Sequence, residues 1–101
     1  MSSITGLVNI DAKYIVSVIN TSTTGVKDFA YVLTADLTLT LPATPSVGDK
    51  IKVSNQSGTT TPIVARNGSN IQGLAEDLVL DVDGFGIELI YSGATKGWVI
   101  I

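Results

Sequence analysis

The sequence predicts an all-β fold, built as a small β-sandwich or jelly-roll-like domain. Apolar and polar residues alternate along most of the chain, as expected when one face of each strand is buried. Turn-forming residues separate these runs, and the strand centres lie roughly 10 to 15 residues apart, a spacing typical of sandwiches. No apolar face at helical spacing extends beyond one turn that residues 73–78 could form. The chain is therefore expected to contain strands and no sizeable helix.

The predicted core comes from this alternation. In the clearest strand, Leu37, Leu39 and Leu41 alternate with aspartate and threonine, which places three leucines on one face. The same pattern continues along the chain and predicts further inward-facing side chains, which are those of Ile51, Val53, Leu78, Leu80, Ile87, Leu89 and Tyr91. These residues are expected to pack in the core or between subunits.

Two segments, 14–19 and 98–101, are apolar on both faces. Such strands are expected to be buried on both faces, either inside a sandwich or beneath another subunit. Trp98 is predicted to lie in the core or an interface, with its indole N–H bonded to a polar partner. The alternative for Trp98 is an exposed ring that stacks on a sugar.

The predicted turns lie between these strands. They fall at 42–49, 55–58, 67–70, 83–84 and 92–93, all rich in glycine, proline, asparagine or serine. The length of 101 residues fits one domain. A change in composition separates residues 1–12, which we predict to be an N-terminal arm ordered only on assembly, from a single β domain at 13–101.

Composition excludes several classes of function. The chain has no histidine and no cysteine, so the usual catalytic bases, disulfides and most metal sites are lacking, and we expect no enzyme activity and no cofactor. Asp81 and Asp83 could suggest paired catalytic carboxylates or a calcium loop. Ser92 stands where a calcium loop needs its glutamate, however, and an Asp-Gly turn explains the pattern better.

Charge points away from nucleic acid and from membranes. The net charge is −3, and the six cationic residues are scattered instead of forming the cluster that a phosphate backbone requires. The start of the sequence lacks the basic segment followed by an apolar run that is typical of a signal peptide, so we expect none. No apolar run is long enough to span a bilayer. We therefore expect a soluble protein with neither nucleic acid nor membrane as partner.

The shortage of charge predicts self-association. Only 15% of the residues are charged, which is well below the usual share. Hydrophobic residues make up 45%, which is near the usual share. Serine and threonine could cover a monomer, but apolar surface reserved for another copy of the chain is the interpretation we favour.

The order of motifs from residue 30 onward resembles a recurrent β module of tailed-bacteriophage structural proteins. The matching features are a Thr-Leu-Pro strand end at 40–42, a Gly-Asp turn at 48–49, an Ile-x-Gly step at 71–73, and Tyr91 followed by Gly-Trp at 97–98. This module occurs in tail fibres, tailspike stems, and head-fibre or capsid-decoration proteins. The resemblance covers about 70 of the 101 residues.

The resemblance implies a homotrimer in which sandwich or jelly-roll subunits pack about a threefold axis. A subunit of this size fits a capsid-decoration (cement or head-fibre) protein that stabilises the virion and contacts the major capsid protein. The arm would then attach to the capsid through Ile4, Leu7, Val8 and Ile10. The alternatives are a short tail-fibre or tailspike stem module that contacts tail proteins, and a carbohydrate-binding module with a glycan partner.

Overall fold

Residues 13–101 are described by a computed structural model, and they contain nine strands and no helix. The strands are β1 (Ile15–Ile19), β2 (Thr23–Thr24), β3 (Phe29–Leu33), β4 (Thr38–Thr40), β5 (Lys50–Asn55), β6 (Ile63–Ala65), β7 (Leu78–Val79), β8 (Gly86–Tyr91) and β9 (Trp98–Ile100). The predicted all-β class is confirmed. The predicted arm, with Ile4, Leu7, Val8 and Ile10, lies outside the described residues.

The strands form two sheets that face each other. One sheet has five strands in the order β1-β3-β5-β8-β9, and the other has four in the order β2-β4-β6-β7. The chain alternates between the sheets from β1 to β6, so that each pair of consecutive strands makes one coil of a stack. The second coil is longer than the first, because Ile15 pairs with Phe29 whereas Ala30 pairs with Lys52.

Strand direction distinguishes this fold from a jelly roll. The pairs β1–β3, β3–β5, β2–β4 and β4–β6 are all parallel, and only β7, β8 and β9 join their neighbours in the antiparallel sense. Jelly rolls are antiparallel throughout. The two-sheet, sandwich-like architecture agrees with the prediction. The predicted jelly-roll pattern is not found, because the coiled path of the chain brings successive strands of one sheet back in the same direction.

The core lies between the two sheets. Its buried side chains come from both sheets and from the loops beside them: Tyr31, Leu33, Leu37, Leu39, Leu41, Ile51, Val53, Val64, Ile71, Leu80, Leu89 and Trp98. Alternation explains this placement, since every second residue of a strand points to the same face. Leu39 is fully buried, for example, while its neighbours Thr38 and Thr40 are only half-buried.

One polar side chain is fully buried in this core. The Asn55 amide nitrogen donates to the carbonyls of Thr59, Leu80 and Val82, at 2.8, 3.1 and 3.3 Å. The amide oxygen accepts from the backbone N–H and the hydroxyl of Ser57. Because a buried amide is costly unless its groups are bonded, Asn55 holds the loop after β5 against the segment before β8.

Candidate interaction surface

The free edge of β1 presents unpaired backbone groups among the residues described. The Ile15 N–H donates to the backbone carbonyl of Asp28, and the Thr34 N–H donates to the backbone carbonyl of Ile19. The backbone N–H and C=O groups of the odd-numbered residues of β1 therefore point toward β3. The N–H and C=O groups of Val16 and Val18 therefore point to the opposite side, where residues 13–101 supply no partner strand. We call β1 with these groups the open edge.

Three of the five side chains of the open edge are both apolar and exposed. Ile15, Val16 and Val18 have 61%, 66% and 65% of their surface accessible. The sequence predicted that this segment would be buried either inside a sandwich or under another subunit. The first alternative is wrong for the described residues, because β1 lies at the end of its sheet instead of inside it.

The other three sheet edges are protected. At β9, the segment before β7 covers the edge: the Trp98 N–H donates to the Asn70 carbonyl, the Gln72 N–H to the Trp98 carbonyl, and the Ile100 N–H to the Gln72 side chain. Strands β2 and β7 have only two residues each, and β7 lies in the acidic stretch 76–83. Short length and charge are the usual means of protecting an edge, and β1 has neither.

The outer face of the five-stranded sheet continues the apolar surface beside β1. The strand register places ten side chains on it: Val16, Val18, Ala30, Val32, Lys50, Lys52, Ser54, Glu88, Ile90 and Val99. Lys52 and Glu88 are directly opposite each other on β5 and β8. The half of this face nearest β1 has no charged side chain within its strands, whereas the middle is charged.

Tyr14 connects the start of β1 to the charged middle of the outer face. Its hydroxyl hydrogen-bonds to the Glu88 carboxylate, and the ammonium groups of Lys52 and Lys50 lie 4.8 and 5.5 Å from the centre of its ring. Partial burial, followed by the bond to Glu88, raises the pKa of the Tyr14 phenol above its usual range. These contacts fix the chain where it enters β1.

Asp28 and Lys50 form an ion pair at the same end of the sheet. The Lys50 ammonium lies 2.6 Å from the Asp28 carboxylate and donates a hydrogen bond to it. This bond holds the pKa of Asp28 below its ordinary value of 3.8. Asp28 also has a positive φ of 69°, a conformation that aspartate and asparagine tolerate better than most residues.

A second apolar surface is the groove where the sandwich opens between β7 and the pair β8 and β9. It encloses about 200 Å³ and is lined chiefly by Leu78, Leu80, Phe85, Ile87 and Ile100. Phe85 is 60% exposed. The groove and the open edge lie at opposite ends of the sheets, since β7 and β9 are the last strands and β1 the first.

Most predicted packing residues lie in the core of a single subunit. Leu37, Leu39, Leu41, Ile51, Val53, Leu80, Leu89 and Trp98 are buried, while Leu78, Ile87 and Tyr91 are half-buried against them. Of the predicted set, Leu78, Leu80 and Ile87 also line the groove. The exposed apolar residues of the open edge were not in that set, because alternation marks the side chains that face inward and says nothing about which strand ends a sheet.

Trp98 is fully buried, so the sugar-stacking alternative is wrong for this residue. Its ring contacts the Tyr91 ring edge-on, with centroids 5.5 Å apart. The predicted polar partner for the indole N–H is not found: within residues 13–101 its nitrogen has no hydrogen-bond acceptor. Packing against Tyr91 and burial therefore hold Trp98, without the expected hydrogen bond.

The acidic residues give no sign of a chemical site in the described part of the chain. Asp81 and Asp83 are exposed, and Asp83 accepts a hydrogen bond from the Gly58 N–H, which is a loop contact. Between residues 13 and 101, no group of three possible metal ligands comes together. That same range has no helix long and apolar enough to cross a membrane.

Neither a protein-family model nor a curated protein sequence matches this chain.

Proposed function

We propose that the chain is a non-enzymatic structural protein of a tailed-phage particle, which assembles as a homotrimer and decorates the capsid surface. The observation that carries the proposal is the uncharged, exposed open edge, in a protein whose other sheet edges are protected. Such an edge is an aggregation hazard in a monomer and a binding element in an assembly. A virion subunit meets permanent partners, so the edge would be covered in use.

The residues that carry the resemblance have structural roles, which suits a structural protein. Pro42 follows β4, where a strand must stop because proline donates no backbone hydrogen bond. Gly48, Gly73 and Gly97 all have positive φ, at 97°, 79° and 69°, in the turns where the motifs place them. Each motif therefore fixes a bend or a strand end.

The proposed mechanism is mechanical. A trimer that contacts several capsid subunits at once would resist their separation, with buried apolar area as the main source of binding energy. The groove beside Phe85 and the open edge supply two separate apolar surfaces for such contacts. The partners would be other copies of the chain and the major capsid protein.

Two measurements test this proposal. Light scattering at micromolar concentration should give three times the 10.5 kDa chain mass. Electron microscopy of virions that carry a tagged copy should show the tag on the head, at threefold positions. A stable monomer would contradict the homotrimer, and tags restricted to the tail would contradict the capsid location.

A tail-fibre or tailspike stem is the second candidate, and the coiled path favours it. From β1 to β6 the parallel strands stack as coils, and at one end of the stack β1 and the two-residue strand β2 have no further neighbouring strand among residues 13–101. A stack of coils can extend by adding another coil at an open end, as solenoid proteins do. The same micrographs decide between the two candidates.

A further inference from the structure

We propose that residues 4–10 of one copy add as a strand to the open edge of a neighbouring copy. The inference deepens the proposed homotrimer and rests on it, because it names the contact that would join the copies. Each subunit would give its arm to one neighbour and accept an arm from the other. Head-to-tail contacts of this kind close into a ring when the rotation allows, as in a trimer.

The first argument comes from the distribution of charge within the five-stranded sheet. Soluble proteins place charged residues on edge strands to prevent pairing with another chain. Here Lys50, Lys52 and Glu88 lie on the internal strands β5 and β8, whereas the bare edge strand β1 carries no charged residue and no proline. The charges therefore lie on internal strands and not on this edge strand, which is the opposite of the arrangement that prevents pairing. An edge of this kind is suited to accept an added strand.

The second argument comes from the junction between the arm and β1. Tyr14 is fixed by its contacts with Glu88 and the two lysines, so the chain direction is set at the start of β1. A tight hairpin that returned the arm to its own β1 would favour Asn-Gly or Asp-Gly in the turn. The junction reads Asp11-Ala12-Lys13 and contains no glycine, so pairing with the subunit's own edge is disfavoured.

The third argument is that the arm suits the edge in length and chemistry. Twelve extended residues span up to about 40 Å, and the described part of the molecule measures 45 × 29 × 20 Å. The arm can therefore reach a neighbouring subunit. Residues 1–10 carry no charged side chain and no proline, and Ile4, Leu7, Val8 and Ile10 supply apolar contacts. Strand addition needs main-chain hydrogen bonds together with apolar side-chain contacts of this kind.

Disulfide cross-linking tests the proposal, since the chain has no natural cysteine. Each double variant carries one cysteine in the arm, Leu7→Cys or Val8→Cys, and one in β1, Val16→Cys or Val18→Cys. Both arm positions are used because adjacent residues of a strand face opposite sides. A disulfide requires the two Cα atoms to lie within about 7 Å. Oxidation should produce covalent dimers and trimers on a non-reducing gel. The matched control replaces the β1 cysteine with Val47→Cys, an equally exposed valine in the loop between β4 and β5.

The outcomes separate this inference from the proposed function. Covalent oligomers with the β1 cysteine, but not with Val47→Cys, support arm exchange. Suppose instead that light scattering shows a trimer while the gel shows only disulfide-bonded species of monomer size. That result would contradict arm exchange between copies but not the homotrimer. A monomer in light scattering would overturn both.

A proline substitution gives an independent test. Val16→Pro removes an N–H that faces the open edge, and proline is tolerated in an edge strand at such a position, so the pairing of β1 with β3 should survive. Each contact between copies should lose one backbone hydrogen bond, so we expect the variant trimer to dissociate at a concentration about tenfold higher than that at which the original trimer dissociates. Val16→Thr keeps the N–H and should leave assembly unchanged. Equal assembly of the two variants would contradict the proposal.

Discussion

At the residue scale, the buried Asn55 side chain is the feature that the alternation pattern does not reveal. The sequence places Asn55 in a predicted turn, next to glutamine, serine and glycine. In the fold it is the last residue of β5, and its amide bonds to carbonyls from two loops. The bonds to Leu80 and Val82 join residues 25 and 27 positions apart, so no local pattern could have predicted them.

Gly97 provides a test of close backbone packing. A Cβ at this position would lie 2.0 Å from the Asn70 carbonyl oxygen, so Gly97→Ala requires the backbone to move. We expect a loss of at least about 3 kcal/mol in the free energy of unfolding, measured by urea denaturation.

The matched control for Gly97→Ala is Gly84→Ala. Gly84 also has positive φ, at 81°, but a Cβ there would meet no atom within 4 Å. Only the conformational cost of about 1–2 kcal/mol should appear. Equal losses in the two variants would show that the contact with Asn70 is unimportant.

The Asp28–Lys50 pair predicts a dependence of stability on pH. Because the pKa of Asp28 is lowered in the folded protein, the pair stabilises the fold above the ordinary value of 3.8. This contribution is lost as the pH falls through the lower, folded-state pKa. Asp28→Asn tolerates the positive φ and removes the charge. The variant should be less stable than the original at pH 7 and nearly equal at about pH 2, in urea denaturation at low salt. A constant difference between the two pH values would contradict the role of the pair.

At the scale of elements, alternation identified the strands because burial of one face imposes a period of two. The three leucines of the segment around β4 are buried as the pattern predicts. Strand β2 was missed, since two threonines in a polar stretch carry no alternation. The parallel pairing was missed as well, because parallel and antiparallel strands with one buried face share the same pattern.

Leu39→Asp tests the assigned core at β4. A carboxylate at this fully buried position would be unpaired, and we expect it to cost about 3–5 kcal/mol of stability, enough to unfold many small domains. Val47→Asp adds the same charge at a loop residue that is 73% exposed, and it should stay within about 0.5 kcal/mol of the original. Thermal melting or urea denaturation measures both. Similar melting of the two variants would mean that β4 is not a core strand.

At the scale of the whole molecule, the two ends of the coiled stack differ. The antiparallel strands β7, β8 and β9 close one side of the sheets, and the segment Asn70 to Gln72 covers the β9 edge. At the other end β1 is bare in the described part of the chain. Among residues 13–101, an exposed apolar strand that is longer than two residues and lacks a pairing partner on one side therefore occurs at one end of the stack and not at the other.

Assembly through this end predicts melting that depends on concentration. If the folded state is an oligomer, raising the protein concentration should raise Tm by mass action. Val16→Lys places on the open edge the kind of charge that natural edges carry, and it should abolish this dependence while the subunit stays folded. Calorimetry over a hundredfold range of concentration measures the effect. A Tm that is independent of concentration in the original protein would contradict assembly.

By itself, the sequence determined the all-β class and most of the side chains that face the core. Both follow from local alternation, since burying one face of a strand fixes which residues are apolar. Only the tertiary structure decided which strands are neighbours, in what direction they run, and that β1 ends a sheet with apolar side chains exposed. Those properties arise from pairing between distant segments such as Ala30 and Lys52, and hydrogen bonds between backbones carry no signature in the side chains.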